Sequence, residues 1–355
     1  MAALTVQTAV ADFSVYVSAG GEILHAEFAD GRLTEPAVAL GQGAGWLAPV
    51  PQAPLLLGAL GNYPRAEGPA NGGLASFRIL EDGSLERVDD IATQGKTPCY
   101  VDANRFGVAA VANFRFDTGP SRGSVFGVRF GETGEFKEAT AQRFEHPGQG
   151  GGGGPRQEAS HPHSAVFSPD GLYLAVGDLG VDKVVIYGPN PASGGLEQIA
   201  EARGEDNQQP RHVGWHPNGE WLYVMNEVAN TVSALRFNAD ARQLEFFQHI
   251  ERPGGAGADL KVHPGGRFVY GSVRGSNALV CYAVDAESGE LAQLGVVATG
   301  GGNCRSFAIS PDGRHLITAN QGASNLTVFA IGDDGMPQPT GQVVEATRPG
   351  CVIFR

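Results

Sequence analysis

Apolar and polar positions alternate along this chain in short bursts, and the bursts recur. Four stretches align directly: HPHSAVFSPDGLYLAVGDLGVDKVVIY from His161, QPRHVGWHPNGEWLYVMNEVANTVSAL from Gln209, GADLKVHPGGRFVYGSVRGSNALVCYAV from Gly257 and NCRSFAISPDGRHLITANQGASNLTVFAI from Asn303. Their Pro-x-Gly turns begin at Pro169, Pro217, Pro264 and Pro311, 47 or 48 residues apart. A fainter copy, TPCYVDANRFGVAAVANF, starts at Thr97, and a still fainter one lies between Ala44 and Leu60. Each copy reads as a strand, the turn, a second strand such as LYLAV or WLYVM, a polar corner, a third strand such as KVVIY and a variable fourth. Period-two alternation bounded by turn residues is the signature of a half-buried sheet.

Four antiparallel strands at this repeat length make one blade of a β-propeller. The C-terminal RPGCVIFR supplies only a first strand, and DFSVYVSAGGEILHAEFADGRL near the N-terminus supplies the remaining ones. Joined, they form a composite blade that leaves no open sheet edge. The expectation is an all-β, seven-bladed β-propeller with four-stranded antiparallel blades, one domain over residues 1–355. No copy carries the Gly-His and Trp-Asp signature of WD40 blades.

This strand order places the start of each first strand and the end of each second strand at one mouth of the ring, with the Pro-x-Gly turns at the other. The opening positions are Cys99, His163, Arg211, Ala258 and Arg305. The closing positions are Phe114, Leu179, Glu227, Arg274 and Gln321, preceded by Asn113, Asp178, Asn226, Val273 and Asn320. A purely structural repeat would keep one residue type in each column. Variation that brings in His, Arg and Glu points to one asymmetric ligand at the mouth. Arginine forks suit carboxylates, phosphates and developing oxyanions, and Glu or His can move a proton. Together they suit addition of water to an ester carbonyl.

Composition agrees with this frame and narrows the partners. The 52 glycines and 22 prolines are the punctuation of short strands. A net charge of −13 without a basic stripe argues against nucleic acid. Cys99, Cys281, Cys304 and Cys351 form no C-x-x-C pair and read as free thiols in a reducing compartment. The N-terminus has no basic region before its apolar residues, and no apolar run reaches the ~20 residues of a membrane span. A cytoplasmic protein without membrane contact, monomeric or a weak homodimer, is expected.

Rival motifs carry less. His161 and His163, two residues apart, share a strand side as metal ligands would, but Arg211 and Arg274 would crowd a cation, so no metal and no cofactor is expected. Gly119–Gly123 fits G-x-S-x-G but lacks the strand-turn-helix setting of a nucleophile elbow. The glycine-rich stretch Gly148–Gly153 matches a dinucleotide pattern without a βαβ unit and reads as a flexible loop. Arg156, just beyond it, has two readings, an arginine that reaches the site and a solvated loop arginine, of which the second is preferred. His216 and His263 read as turn residues, and His25, His146, His249 and His315 fit no pattern.

The joint pattern RQEASHPHSAVFSPDG (156–171), GDLGVDKVVIY (177–187), QPRHVGWHPNGEWLYVMNE (209–227), SVRGSNAL (272–279) and SPDGRHLITANQGASNLTVF (310–329) resembles the seven-bladed propeller lactonases, which include propeller-type 6-phosphogluconolactonases and 3-carboxy-cis,cis-muconate cyclases. The resemblance implies catalytic groups at His163, Arg211, Glu227 and Arg274, four positions that the repeat geometry also singles out. Arg305, Asn113, Asp178, His161, His212 and Gln321 are the accompanying candidates for substrate binding. Two departures stand out: Tyr100 replaces a histidine common in the family, and NFRFDTGPSRG (113–123) is a longer loop, with Arg115 and Arg122, expected to overhang the mouth. The implied activity is metal-independent hydrolysis of a small anionic sugar-acid lactone, either 6-phosphogluconolactone or a related aldono- or aldaro-lactone. The alternatives are a muconate-type cycloisomerase and a non-catalytic propeller that binds a protein or glycan.

Overall fold

A computed structural model describes residues 13–61, 72–115 and 122–355, and every regular element among them is a β-strand. The strands form seven antiparallel sheets. Blades 1 to 6 begin with the inner strands Trp46–Pro49, Pro98–Ala103, Pro162–Phe167, Pro210–Trp215, Ala256–Val262 and Cys304–Ile309. Blade 7 is the expected composite. Its inner strand Cys351–Phe354 pairs with Phe13–Ala19, matching Ser18 to Cys351 and Val15 to Phe354. Glu22–Ala29 follows, and its outer edge is shared by the short strands Arg32–Leu33 and Ala37–Leu40. The faint copy between Ala44 and Leu60 is a full blade, its register running from Trp46↔Ala59 to Pro49↔Leu56.

Burial follows position within the blade. Second strands such as Trp221–Asn226 are buried along their whole length, because neighbouring blades cover both faces. Fourth strands such as Gln243–Glu251 alternate with solvent. Side chains also stitch blades together. Tyr16, Tyr223 and Tyr270 each donate a hydroxyl hydrogen bond to a carbonyl in the next blade, at Gly83, Gly289 and Gly335, over 2.8–3.0 Å. Those glycines have φ near +79°, where L side chains are strained. At Gly289 and Gly335 an added Cβ would also strike the rings of Trp221 and Phe268.

Candidate active site

Inner strands would ordinarily alternate their side chains between the two faces of a blade. At the mouth they do not. In blades 2, 3, 4 and 6 the register slips by one residue, leaving Cys99, His163, Arg211 and Arg305 unpaired opposite the second strand. Blade 5 slips between Gly257 and Leu260. Such a bulge bends the strand and re-aims the extra side chain. The closing residues Phe114, Leu179, Glu227 and Gln321 sit beside them, their backbone N–H groups bonded to the carbonyls of Thr97, His161, Gln209 and Asn303. The opening and closing columns therefore share one mouth.

Glu227 is the hub of this mouth and is 6% exposed. Arg211 Nε lies 3.2 Å from its Oε2, while Arg274 Nη2 and Arg156 Nη1 lie 3.0 Å from its Oε1. Burial alone would raise the carboxyl pKa, but Arg211, Arg156 and Arg274 outweigh it and hold Glu227 at about 2. Burial pulls Arg211 down to about 9 despite Glu227, so both groups are charged at neutral pH. Arg305 forms no hydrogen bond or ion pair to another described residue, and burial followed by the charge of Arg274 lowers its pKa.

His163 is buried, with Nδ1 3.8 Å from Cys99 Sγ and its ring 5.0 Å from that of Phe114. Burial first, then the charge of Arg211, holds its pKa well below the ordinary imidazole value. It is a neutral base candidate at physiological pH. The Cys99 thiol is pushed up to about 12 by burial and stays protonated. An open cavity of about 360 Å³ brings together Cys99, His163, Arg211, Arg305, Gln321 and Arg348.

Four other candidates support this mouth from behind. Asn113 is fully buried, exchanging hydrogen bonds with Thr93 and donating to Ser124 Oγ at 3.2 Å. Asp178 accepts from His146 Nδ1 and Ser160 Oγ at 2.6 Å, from the His161 amide at 2.7 Å and from the Gly180 amide at 2.9 Å. His161 Nδ1 donates to Phe114 O at 2.7 Å. His212 Nδ1 bonds Asp259 Oδ1 at 2.8 Å and its Nε2 accepts from Arg211 Nη1 at 3.0 Å. Gln321 lines the cavity and accepts from Asn303 Nδ2 at 3.4 Å. Among the described residues no three His, Cys, Asp or Glu side chains converge as metal ligands, so His161 and His163 lack a third.

Sequence reasoning missed several residues. Arg156 takes the less favoured of its two readings: it reaches Glu227 and lies over the Phe114 ring at 5.5 Å. The glycine run before it, expected to be a flexible loop, has defined anchors. Asp182 accepts from the amides of Gly151, Asn207 and Gln209 and from Gln157 Nε2, while Gln157 also accepts from the amides of Gly150 and Gly152. His146, which fitted no pattern, bridges Asp178 and the Tyr187 hydroxyl. Arg348 reaches the cavity from the connection between blades 6 and 7, a place outside both columns. In the long loop, Arg115 is buried and Arg122 exposed. Residues 116–121, and with them most of the G-x-S-x-G match, lie outside the described residues.

Fold and site together define a class: a closed seven-bladed propeller with an arginine-rich mouth. The chain belongs to the seven-bladed β-propeller lactonase family, whose model ("Lactonase, 7-bladed beta-propeller") matches residues 9–354. Among solved structures it is similar to the periplasmic gluconolactonase of Pseudomonas aeruginosa, 28% identical, with TM-score 0.84 over 97% of this chain and 99% of that one. Proposed 6-phosphogluconolactonases of Bacteroides fragilis (21% identical, TM-score 0.84, all of both chains) and Bacteroides uniformis (23%, 0.85, 97% and 99%) share the fold. A curated relative, an uncharacterised protein of Staphylococcus aureus strain USA300, is 28% identical over 200 residues, 54% of this chain and 53% of the relative. The match thus spans about half the length of such relatives. No helix among the described residues is long and apolar enough to cross a membrane. The Pseudomonas relative is periplasmic by name.

Proposed function

We propose that this protein hydrolyses a sugar-acid lactone, 6-phosphogluconolactone or a related aldono- or aldaro-lactone, by acid/base catalysis without a metal. The observation that carries the reading is a neutral, buried His163 in one cavity with the guanidinium groups of Arg211 and Arg305. His163 takes a proton from water as its oxygen adds to the lactone carbonyl. Arg211 and Arg305 stabilise the resulting oxyanion, the term that usually dominates acyl transfer. The ring C–O bond then breaks and the imidazolium returns its proton to the departing alkoxide, so that one water is added overall.

Glu227 does not serve as the proton carrier in this scheme. Three arginines occupy its oxygens and hold it ionised, so it arrays them around the mouth. Arg348 and Gln321, which line the same cavity, face the polyhydroxyl or anionic end of the substrate. Four free cysteines fit a reducing compartment.

EDTA-treated protein is expected to accelerate proton release from glucono-, 6-phosphoglucono- or glucarolactone in a pH-stat, with a parallel absorbance assay on a muconate. Full lactone turnover in both His163→Ala and Glu227→Gln variants would overturn the assignment. Turnover of the muconate alone would replace it with the cycloisomerase.

A further inference from the structure

Arg211 is held by more than Glu227. Its Nη1 donates to Ala258 O at 2.6 Å and to His212 Nε2 at 3.0 Å. His212 Nδ1 continues to Asp259 Oδ1 at 2.8 Å, and Lys261 Nζ lies 3.4 Å from the same oxygen. Arg211, His212 and Asp259 are at most 1% exposed. The chain crosses the ring. Lys261 lines a cavity of about 320 Å³ with Pro264 and Pro311 on the turn side, whereas Arg211 lines the active mouth. Trp46 borders both cavities.

The hydrogen-bond inventory fixes the state of this chain. Arginine only donates, so His212 Nε2 accepts and its proton sits on Nδ1, facing Asp259. Burial first, then the charge of Arg211, lowers the His212 pKa to about 3, so the ring is neutral. Asp259 is completed by the amides of Leu260 at 2.9 Å and Phe307 at 3.2 Å. The imidazole meets Trp46 and Tyr100 edge-on, at 5.2 and 5.1 Å, and so has one orientation.

We propose that His212 and Asp259 are positioning residues for Arg211. They take up Nη1 and lock the plane of the guanidinium, so that Nε faces Glu227 and Nη2, which has no protein partner among the described residues, is presented to the substrate oxyanion. This rests on the lactonase reading only for the identity of that oxygen. The positioning itself is a property of the ligand-free protein.

Two near-isosteric substitutions separate the halves of the imidazole. His212→Gln can keep an acceptor for Arg211 while losing the donor to Asp259. His212→Asn can keep the donor and loses the acceptor. If Arg211 is what matters, kcat/KM falls about 100-fold in the Asn variant, the scale of a misplaced or unsupported site group, and much less in the Gln variant. Asp259→Asn, a second route to the same end, should resemble the Asn variant because an amide can force the other tautomer. Thermal melts report folding, and crystal structures of the ligand-free variants report Arg211 directly. Displacement of its guanidinium from Glu227 in His212→Asn and Asp259→Asn, with retention in His212→Gln, supports the proposal even if no lactone is turned over by the wild type. Equal kinetic losses in the Gln and Asn variants, or an unmoved Arg211 in all three structures, overturn it.

Discussion

Among the described residues two buried imidazole–carboxylate pairs, His146–Asp178 and His212–Asp259, end differently. In blade 3, His146 joins Asp178 at 2.6 Å and passes to the Tyr187 hydroxyl at 2.8 Å. Across blades 4 and 5, His212 joins Asp259 at 2.8 Å and passes to Arg211 at 3.0 Å. Both carboxylates are fully buried, both accept backbone amides, and both are held below the ordinary range although burial opposes ionisation. The His146 pair ends on a neutral phenol inside a blade and ties down the start of an inner strand. The other ends on a cation at the mouth. The same pair of residue types thus serves structure in one place and presents charge in the other. What decides is the group bonded to the far nitrogen.

The largest expected effect tests the mouth itself. His163→Ala should lower kcat by about 10²–10⁴-fold, the usual contribution of a positioned general base, with little change in a urea unfolding curve. Next, the two pairs should part company. Asp178→Asn and Asp259→Asn should each cost about 1–3 kcal/mol in urea unfolding, the scale of a buried hydrogen-bonding group left short of a partner. Only Asp259→Asn should also depress kcat/KM strongly. Parallel kinetic losses would erase the distinction.

Acid should then reveal the pairs through stability. His212 and His163 have folded pKa values below the ~6.5 of an unfolded histidine, so the unfolded chain binds protons first. Stability is whole above pH ~6.5 and declines as pH falls. A further loss begins near pH ~4, where the unfolded counterparts of Asp178, Asp259 and Glu227 protonate while the folded carboxyls still resist. Melting temperatures from pH 8 to 3 check the two stages, and His212→Gln should flatten the upper one. The smallest effect concerns Arg156. Its side chain is 43% exposed, and Glu227 retains Arg211 and Arg274 without it. Arg156→Gln should change stability by no more than about 1 kcal/mol and act mainly on KM.

Much of this site was legible beforehand because the repeat is so regular. Against four aligned copies, His163, Arg211, Glu227 and Arg274 stand out as departures at two fixed positions, and all four lie at one mouth. Asp259 escaped notice because Ala258 fills the opening column of blade 5 and looks blank, while the shifted register sets the next residue against His212. Arg156 escaped because nothing local ties it to Glu227, 71 residues away. His146 belongs to the connection between blades, which the repeat does not describe.

Strand period, turn spacing, the composite closing blade and the columns that meet at one mouth could all be read from the order of residues. Those follow from backbone pairing and burial, which act over a few residues and leave a periodic trace. Which polar groups touch was settled by the folded ring. It made Glu227 a hub for three arginines. It also turned His212 toward Asp259 and gave the glycine run its anchors. These contacts join residues tens of positions apart, and their partners are chosen by strand bulges and by how neighbouring blades meet, neither of which has a period to read.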